Sequence, residues 1–211
     1  MDSVISDPLA SRPATPAAGR VPLRSTAADG VKIVIVGGFG VGKTTLVRAV
    51  SEIRPLSTEE TMTEAGRGID ITTGLVDKTS TTVAFDFGRV SLTDELVLYL
   101  FGAPGQQRFW FLWDRLFAGT LGAVVLVDTR RIEDSWYAID RLEQYGMPFI
   151  VARNNFPGTA HGLGELREAL SVHDTVPVVE CDARQRSSAK YVLITLVHHL
   201  YTMSRARGGY G

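Results

Sequence analysis

The chain has 211 residues, 45% of them hydrophobic and 21% charged, and its formal net charge is −1 at pH 7. These values allow one sizeable α/β domain, and the near-neutral charge argues against broad nucleic-acid binding. The single cysteine excludes an internal disulfide framework, no apolar run approaches the roughly 20 residues that span a bilayer, and the beginning lacks the features of a signal peptide. We therefore expect a cytoplasmic protein without a transmembrane segment, and any association with a membrane would be peripheral and through partners.

Three parts of different composition divide the chain. Residues 1–29 contain four of the nine prolines, many alanines and serines, and no periodic apolar face, which predicts a disordered tail. We expect one domain over residues 30–204. The glycine-rich end, residues 205–211, is predicted to be a second flexible tail.

A glycine-rich stretch lies between an apolar strand pattern at 31–36 and a helical pattern at 43–50. It fits G-x-x-x-x-G-K-[ST], a phosphate-binding loop. Glycines let successive N–H groups turn toward phosphate oxygens, and the next helix adds its own unpaired N–H groups and the positive end of its dipole. Lys43 is predicted to reach the terminal phosphates, and the Thr44 hydroxyl to bind Mg²⁺. The predicted phosphate-side residues are Gly38, Phe39, Gly40, Val41, Gly42, Lys43, Thr44 and Thr45.

The segment after this first helix divides into a polar stretch and a hairpin. Residues 54–80 are rich in threonine and glycine without clear elements, and stretches of that length are usually functional or mobile. Alternation over 81–88 predicts a half-buried strand, and 96–101 reads as a second strand. Because the connection is short, we expect an antiparallel hairpin.

The remaining segments alternate between strand and helix patterns. Strands are predicted at 123–127, 148–152 and 176–179, and helices at 107–118, 132–145, 164–170 and 187–203. Strands that are almost continuously apolar are typical of a parallel sheet covered by helices on both faces. The predicted fold class is therefore α/β, a P-loop fold of three layers with a mostly parallel sheet and one antiparallel strand.

A second candidate element, Gly102-Ala103-Pro104-Gly105-Gln106, follows the strand at 96–101. The Gly105 N–H can sense a terminal phosphate, and Gln106 can orient an attacking water. A Pro-Gly pair is also common in ordinary turns. The hairpin that separates this element from the phosphate loop favours the functional interpretation.

With these motifs in this order, the chain resembles the Ras-like small GTPases. It is similar in particular to the bacterial gliding and polarity GTPases and to those of actinobacterial conservon operons, over about residues 31–203. The resemblance implies a Ras-like fold, binding of GTP and GDP with Mg²⁺, slow GTP hydrolysis and a role as a molecular switch. It also implies that Thr82, or alternatively Thr81, is the Mg²⁺-sensing threonine, and that a roadblock-domain protein is a regulatory partner. The implied catalytic residues are Lys43, Thr82 and Gln106, and the implied metal ligands are Thr44 and Thr82.

The chain departs from this family in two places. Gly102 stands where most small GTPases have an aspartate that anchors Mg²⁺ through a water. Pro157 stands where the guanine-recognition motif has an aspartate that accepts two hydrogen bonds from the base. The predicted base-side residues are Asn154 and Asn155 of the first loop, and Asp182, Ala183 and Arg184 of a second loop that aligns with Ser-Ala-Lys.

Several alternatives stay open at the level of sequence. Asp128 either caps the next helix or is the Mg²⁺ carboxylate of an ATPase, and the order of the motifs favours the cap. The aromatic residues of the helix at 107–118 either pack in the core or form a partner surface. The alternative functions are a catalytically weak nucleotide-binding scaffold and an ATP-binding P-loop protein.

Overall fold

The computed structural model describes residues 29–54, 56–62, 81–158 and 161–208, and in this part of the chain one sheet of seven strands carries the fold. The strands are β1 (Asp29–Val36), β2 (Leu56–Met62), β3 (Thr81–Ser91), β4 (Leu96–Gly102), β5 (Gly122–Val127), β6 (Phe149–Asn154) and β7 (Val178–Cys181). The α-helices are α1 (Lys43–Val50), α2 (Trp113–Phe117), α3 (Trp136–Gln144), α4 (Leu163–Leu170) and α5 (Arg186–Gly208). Two 3-10 segments, Gln107–Leu112 and Thr129–Ser135, precede α2 and α3.

The sheet order places the two glycine-rich loops side by side. The order is β2-β3-β4-β1-β5-β6-β7, with β3 antiparallel to β2 and β4 and the other pairings parallel. Since β1 and β4 are parallel neighbours, the loops that follow them leave the same edge of the sheet. The Ala103 N–H donates to Ile35 O at 2.9 Å at this point. The predicted hairpin and the mostly parallel sheet with one antiparallel strand are confirmed.

Two apolar cores lie on the two faces of the sheet. Ile33 and Ile35 of β1 pack with α1 and α5, whereas Val34 and Val36 pack with α2, α3 and α4. All four side chains are fully buried. The strand is therefore apolar at every position because both of its faces are covered, which confirms the three-layer interpretation.

The structure differs from the predicted elements in several places, of which three are the clearest. The first half of the helix predicted at 107–118 is a 3-10 segment, where Phe109, Trp110 and Phe111 are weak helix formers. The polar strand β2 has no apolar alternation and is formed by its pairing with β3 at the edge of the sheet. Helix α5 continues to Gly208, past the predicted domain end at 204, so residues 205–208 of the predicted flexible end are helical. Residues 1–28, which make up nearly all of the predicted disordered tail, lie outside the described residues.

The length and hydropathy of the described helices bear on membrane insertion. No helix in these parts of the chain is both long enough and apolar enough to cross a bilayer. The longest, α5, has 23 residues. Its buried positions include Val192, Leu193 and Leu196, which pack against α1 and the sheet.

Candidate nucleotide-binding site

The loop between β1 and α1 has the backbone shape of a phosphate cradle. Gly37 has a φ of 138°, and a Cβ there would lie 2.2 Å from Leu126 O, so only glycine fits. Gly40 and Gly42 also have positive φ angles. Helix α1 begins directly after the loop with no side-chain cap and no acidic residue in its first turn, among the residues that the structure describes. Its first N–H groups are therefore available to an anion.

Lys43 is folded back onto the loop itself. Its side chain is 8% exposed, and its ammonium donates to Gly37 O at 2.9 Å and Gly38 O at 2.7 Å. Burial lowers the pKa of Lys43 to about 8, although attraction by the carboxylates of Asp86 and Asp134 acts in the opposite direction. A phosphate that replaced the two carbonyls would stabilise the charged form of this lysine.

The Thr44 hydroxyl pairs with a residue that the sequence analysis did not select. Its Oγ1 donates to Asp86 Oδ2 at 2.5 Å, across 42 positions of sequence. Hydroxyl and carboxylate oxygens are hard donors of the kind that Mg²⁺ prefers, and Mg²⁺ typically takes only one or two carboxylates and completes its shell with phosphate and water. No group of three or more His, Cys, Asp or Glu side chains in the described residues could hold a metal by itself. Thr44 and Asp86 therefore fit Mg²⁺ that arrives with a nucleotide.

Asp86 fills the space at Gly102, the position where the small GTPases that the sequence resembles have an aspartate. The antiparallel register of β3 and β4 sets Asp86 opposite Gly102, and a Cβ at position 102 would lie 3.1 Å from Asp86 Cβ and 3.2 Å from its Oδ2. The carboxylate is thus supplied from the neighbouring strand. The sequence shows an aspartate between two phenylalanines in the first strand of the hairpin, but only the register of the folded sheet pairs it with Gly102.

The loop after β4 lies against the phosphate loop. A Cβ at Gly105 would lie 2.7 Å from Lys43 Nζ and 2.8 Å from Gly38 O, so glycine permits this close contact. Trp113 stabilises this loop: it is fully buried and donates its indole N–H to Pro104 O at 3.1 Å. Gln106 is half-buried and is the N-cap residue directly before the 3-10 segment Gln107–Leu112.

One open cavity of about 460 Å³ collects these residues. Its lining brings together the predicted phosphate-side residues except Gly38 and Val41, the predicted switch residues Gly105 and Gln106, and Asp86. The lining residues are Phe39, Gly40, Gly42, Lys43, Thr44, Thr45, Asp86, Gly102, Ala103, Pro104, Gly105, Gln106, Arg108 and Phe109. The predicted base-side residues are not part of this lining. Thr82 lies in β3 opposite Thr61, but its side chain is outside the described ones, so its predicted role stays a prediction.

Asn154 connects the phosphate loop with the predicted base-side loop at 182–184. Its amide Nδ2 donates to Val41 O at 2.9 Å, and its Oδ1 accepts from the Ala183 N–H at 3.0 Å. The side chain is 5% exposed. The Ala183 N–H, predicted to contact the base, is therefore bonded to Asn154 in this structure, and a contact with the base would require it to share or exchange that bond.

The other base-side residues are bonded to neighbouring protein groups. The Asp182 carboxylate accepts from Arg184 Nε at 2.8 Å and Nη2 at 2.9 Å, and these bonds hold the pKa of Asp182 below its usual value. Asn155 is exposed, and its backbone N–H donates to the carbonyl of Cys181 at 2.7 Å. Pro157 is also exposed and offers no side-chain acceptor to a base.

Asp128 is a capping residue. Its carboxylate is 3% exposed and accepts from the Arg130 backbone N–H at 3.0 Å and from the guanidinium at 2.7 and 2.9 Å. The bonds from Arg130 hold the pKa of Asp128 below its usual value. It does not line the cavity that contains Lys43 and Thr44. The predicted cap is confirmed.

The aromatic residues before and in α2 divide between core and surface. Trp113 and Phe117 are buried, and Trp110 stacks on Tyr137 of α3 with ring centroids 3.4 Å apart. Phe111 is 61% exposed. Core packing therefore accounts for most of this cluster.

The fold and the phosphate end together define the class, a nucleotide-binding P-loop protein with the fold of a G-domain. The G domain of the T. maritima FeoB iron transporter is similar, with a TM-score of 0.57 and 18% identity, covering 81% of this chain and 99% of that chain. The FeoB G-domain of Methanococcus jannaschii has a TM-score of 0.55 and 15% identity, covering 82% and 98%. The cytosolic domain of T. maritima FeoB in its GDP form has a TM-score of 0.59 and 17% identity, covering 82% and 64%. At these identities the likeness shows the fold.

Within this class, the chain belongs to the family described as conserved hypothetical ATP binding proteins, which matches residues 35–203. A curated relative, uncharacterized protein MJ1339 of Methanocaldococcus jannaschii, is 31% identical over 103 residues. The match covers 49% of this chain and 54% of that protein, so the chain spans about half the length of this relative. The finer resemblance to gliding and polarity GTPases stays a prediction.

Proposed function

We propose that this protein is a small GTP-binding molecular switch that hydrolyses GTP slowly with Mg²⁺. The observation that carries the proposal is the contact of Gly105 with Lys43 and Gly38. A terminal phosphate must draw Lys43 away from the loop carbonyls, and Gly105 lies directly against that ammonium. The state of the nucleotide would therefore be transmitted to the loop after β4, and from there to α2.

In this proposal different residues bind the phosphates, orient the water and hold Mg²⁺. The phosphate-loop N–H groups and Lys43 bind the phosphates and stabilise their charge, while Gln106 orients the attacking water. Thr44 and Asp86 would hold Mg²⁺, with Thr82 as a further ligand by resemblance. Mg²⁺ supplies neutralisation of charge on the β- and γ-phosphates when it is bound.

The test identifies the nucleotide first and the reaction second. The nucleotide that co-purifies with the protein is released and identified, and competition against a fluorescent nucleotide compares GTP with ATP. Phosphate release from the purified protein then separates an enzyme from a scaffold, because a scaffold binds GTP without turnover. GTP preference with slow release is expected, and equal or tighter binding of ATP would contradict the proposal.

Gln106→Leu isolates the hydrolytic part of the proposal. We expect nearly unchanged GTP affinity and much slower phosphate release, because the leucine cannot orient water. Gln107→Leu serves as the matched control, since that neighbouring glutamine is exposed and does not line the cavity. Equal rates in the Gln106 variant and the unmodified protein would show that Gln106 has no catalytic role.

ATP binding is a second candidate, favoured by one specific observation. Pro157 cannot accept the two hydrogen bonds that distinguish guanine, and the family is described as ATP-binding. A site that hydrogen-bonds a base can discriminate by a factor of about 10⁴, so without those bonds we expect a much smaller preference for GTP. A roadblock-domain partner rests on the resemblance alone, a cytoplasmic location rests on the sequence features described above, and both stay proposals.

A further inference from the structure

Arg131 brings a positive charge to the phosphate loop from another part of the fold. It lies in the 3-10 segment between β5 and α3, and its Nη2 donates to Phe39 O at 2.8 Å across 92 positions of sequence. The same nitrogen is 3.8 Å from the position that a Cβ would take at Gly40. The guanidinium therefore lies in van der Waals contact with the position that a side chain at Gly40 would occupy.

The local backbone and its neighbours hold Arg131 there. Its φ of −147° and ψ of 60° interrupt the helical segment. Asp134 Oδ2 lies 3.8 Å from Arg131 Nη1 and Asp128 Oδ2 lies 3.9 Å from Arg131 Nη2, both longer than hydrogen-bond distance. Asp128 is paired with Arg130 instead, at 2.7 Å. These carboxylates orient the charge without covering it.

The guanidinium also keeps hydrogen-bonding capacity for a ligand. It carries five N–H groups, and within the described part of the chain the bond to Phe39 O is its one hydrogen bond. Its side chain is 47% exposed. Arg131 lies at the edge of the site: it is not a lining residue of the 460 Å³ cavity, but it adjoins Phe39 and Gly40, which both line it.

We propose that Arg131 acts as an arginine supplied in cis to the phosphates, an inference that rests on the proposed GTP hydrolysis. Water attacks the γ-phosphorus, the bond from that phosphorus to the β–γ bridging oxygen breaks, and its electron pair stays on the GDP. The proton of the water leaves with inorganic phosphate. Arg131 donates to the phosphate oxygens on which negative charge grows, and a guanidinium in this role typically contributes a large factor to turnover.

The competing explanation is that Arg131 only braces the loop through Phe39 O. If Arg131 only stabilised the loop, its removal would weaken GDP binding, GTP binding and hydrolysis to the same extent. A charge that acts on the transition state would leave binding of GDP nearly unchanged and would affect hydrolysis. The two roles are therefore separable by comparing ground-state binding with a transition-state analogue.

The experiment uses the full chain and the variants Arg131→Ala and Arg131→Lys. Arg115→Ala is the control that removes one charge, since Arg115 is exposed on α2 and, in the described part of the chain, forms no hydrogen bond or ion pair with the phosphate loop, unlike Arg131. Three quantities are measured: the affinity for GDP, the single-turnover release of phosphate from saturating GTP, and the binding of aluminium fluoride to the GDP complex. We expect Arg131→Ala to change GDP affinity less than threefold, to slow phosphate release by about tenfold or more, and to weaken aluminium fluoride binding.

Arg131→Lys separates the effect of charge from that of geometry, because a lysine keeps the positive charge but lacks the planar set of N–H donors of a guanidinium. It should restore hydrolysis only in part, and Arg115→Ala should match the unmodified protein. Unchanged phosphate release and aluminium fluoride binding in Arg131→Ala would overturn the inference, as would equal losses in GDP affinity and hydrolysis. If the unmodified protein binds neither GTP nor GDP, the proposed function fails as well, and that outcome is distinct from a variant that reacts like the unmodified protein.

Discussion

The two ends of the candidate site are built in different ways. At the phosphate end, backbone N–H groups, a buried lysine and a Thr44–Asp86 pair converge on one cavity. At the base end, Asp182 pairs with Arg184, and Pro157 presents no acceptor.

The difference shows which part of such a site depends on side chains. A phosphate is recognised by backbone geometry, and glycine positions and the start of a helix fix that geometry. A base is recognised by individual acceptors and donors, so one substitution such as Pro157 changes its recognition without changing the fold. Binding and base selectivity can therefore be altered separately.

The largest expected effect is at the phosphate end. Lys43→Ala removes a charge-assisted contact to phosphate, which should cost on the order of 2–3 kcal/mol, or about 30- to 150-fold in nucleotide affinity. Titration with a fluorescent nucleotide measures this loss. Lys190→Ala on α5, outside the cavity lining, is the matched control. Unchanged affinity in the Lys43 variant would show that the phosphates bind elsewhere.

The next effect tests whether Asp86 replaces the carboxylate missing at position 102. Asp86→Ala should weaken Mg²⁺-dependent nucleotide binding by about tenfold, because one charged oxygen near the metal is lost. The double variant Asp86→Gly with Gly102→Asp should recover much of it, since removing the whole Asp86 side chain, Cβ included, opens the space that a side chain at 102 needs. The nucleotide affinity of each variant is measured with Mg²⁺ and again with EDTA, and the difference gives the Mg²⁺-dependent part of binding. Failure of the single variant to change the Mg²⁺ dependence would contradict the assignment.

The third effect sharpens the contrast at the base end. Pro157→Asp restores the acceptor that guanine needs and should raise the ratio of GTP to ATP affinity by about tenfold, through hydrogen bonds to a charged group. Competition binding with both nucleotides measures the ratio. Pro157→Asn is the control, because asparagine has the same shape as aspartate without its charge. An unchanged ratio would mean that the base does not reach this loop.

The smallest expected effect is the pH dependence of binding. The pKa of Lys43 is about 8 in the nucleotide-free protein, so the charged form that phosphate needs becomes scarce above that pH. Raising the pH from 7.5 to 8.5 should lower the affinity by about threefold. The dependence should disappear in Lys43→Ala. Affinity that stays constant over this range in the unmodified protein would exclude control of binding by Lys43.

The phosphate end could be predicted from sequence because its signal is local. The loop at Gly37–Thr44 and the hairpin after it are each determined by short-range patterns of glycine and alternation. Asp86 could not be selected without the register of β3 against β4, since its partner Gly102 becomes adjacent only in the sheet. Arg131 reaches Phe39 across 92 positions, and no local pattern indicates such a contact.

Cys181 has a practical consequence for labelling. It is the one cysteine of the chain, it is 1% exposed, and burial raises its pKa to about 12. Its thiol is therefore almost entirely protonated at neutral pH and shielded from maleimide reagents. A fluorophore attached to a cysteine introduced at an exposed position, such as Arg115 on α2, would report movements of that helix without background from the native thiol.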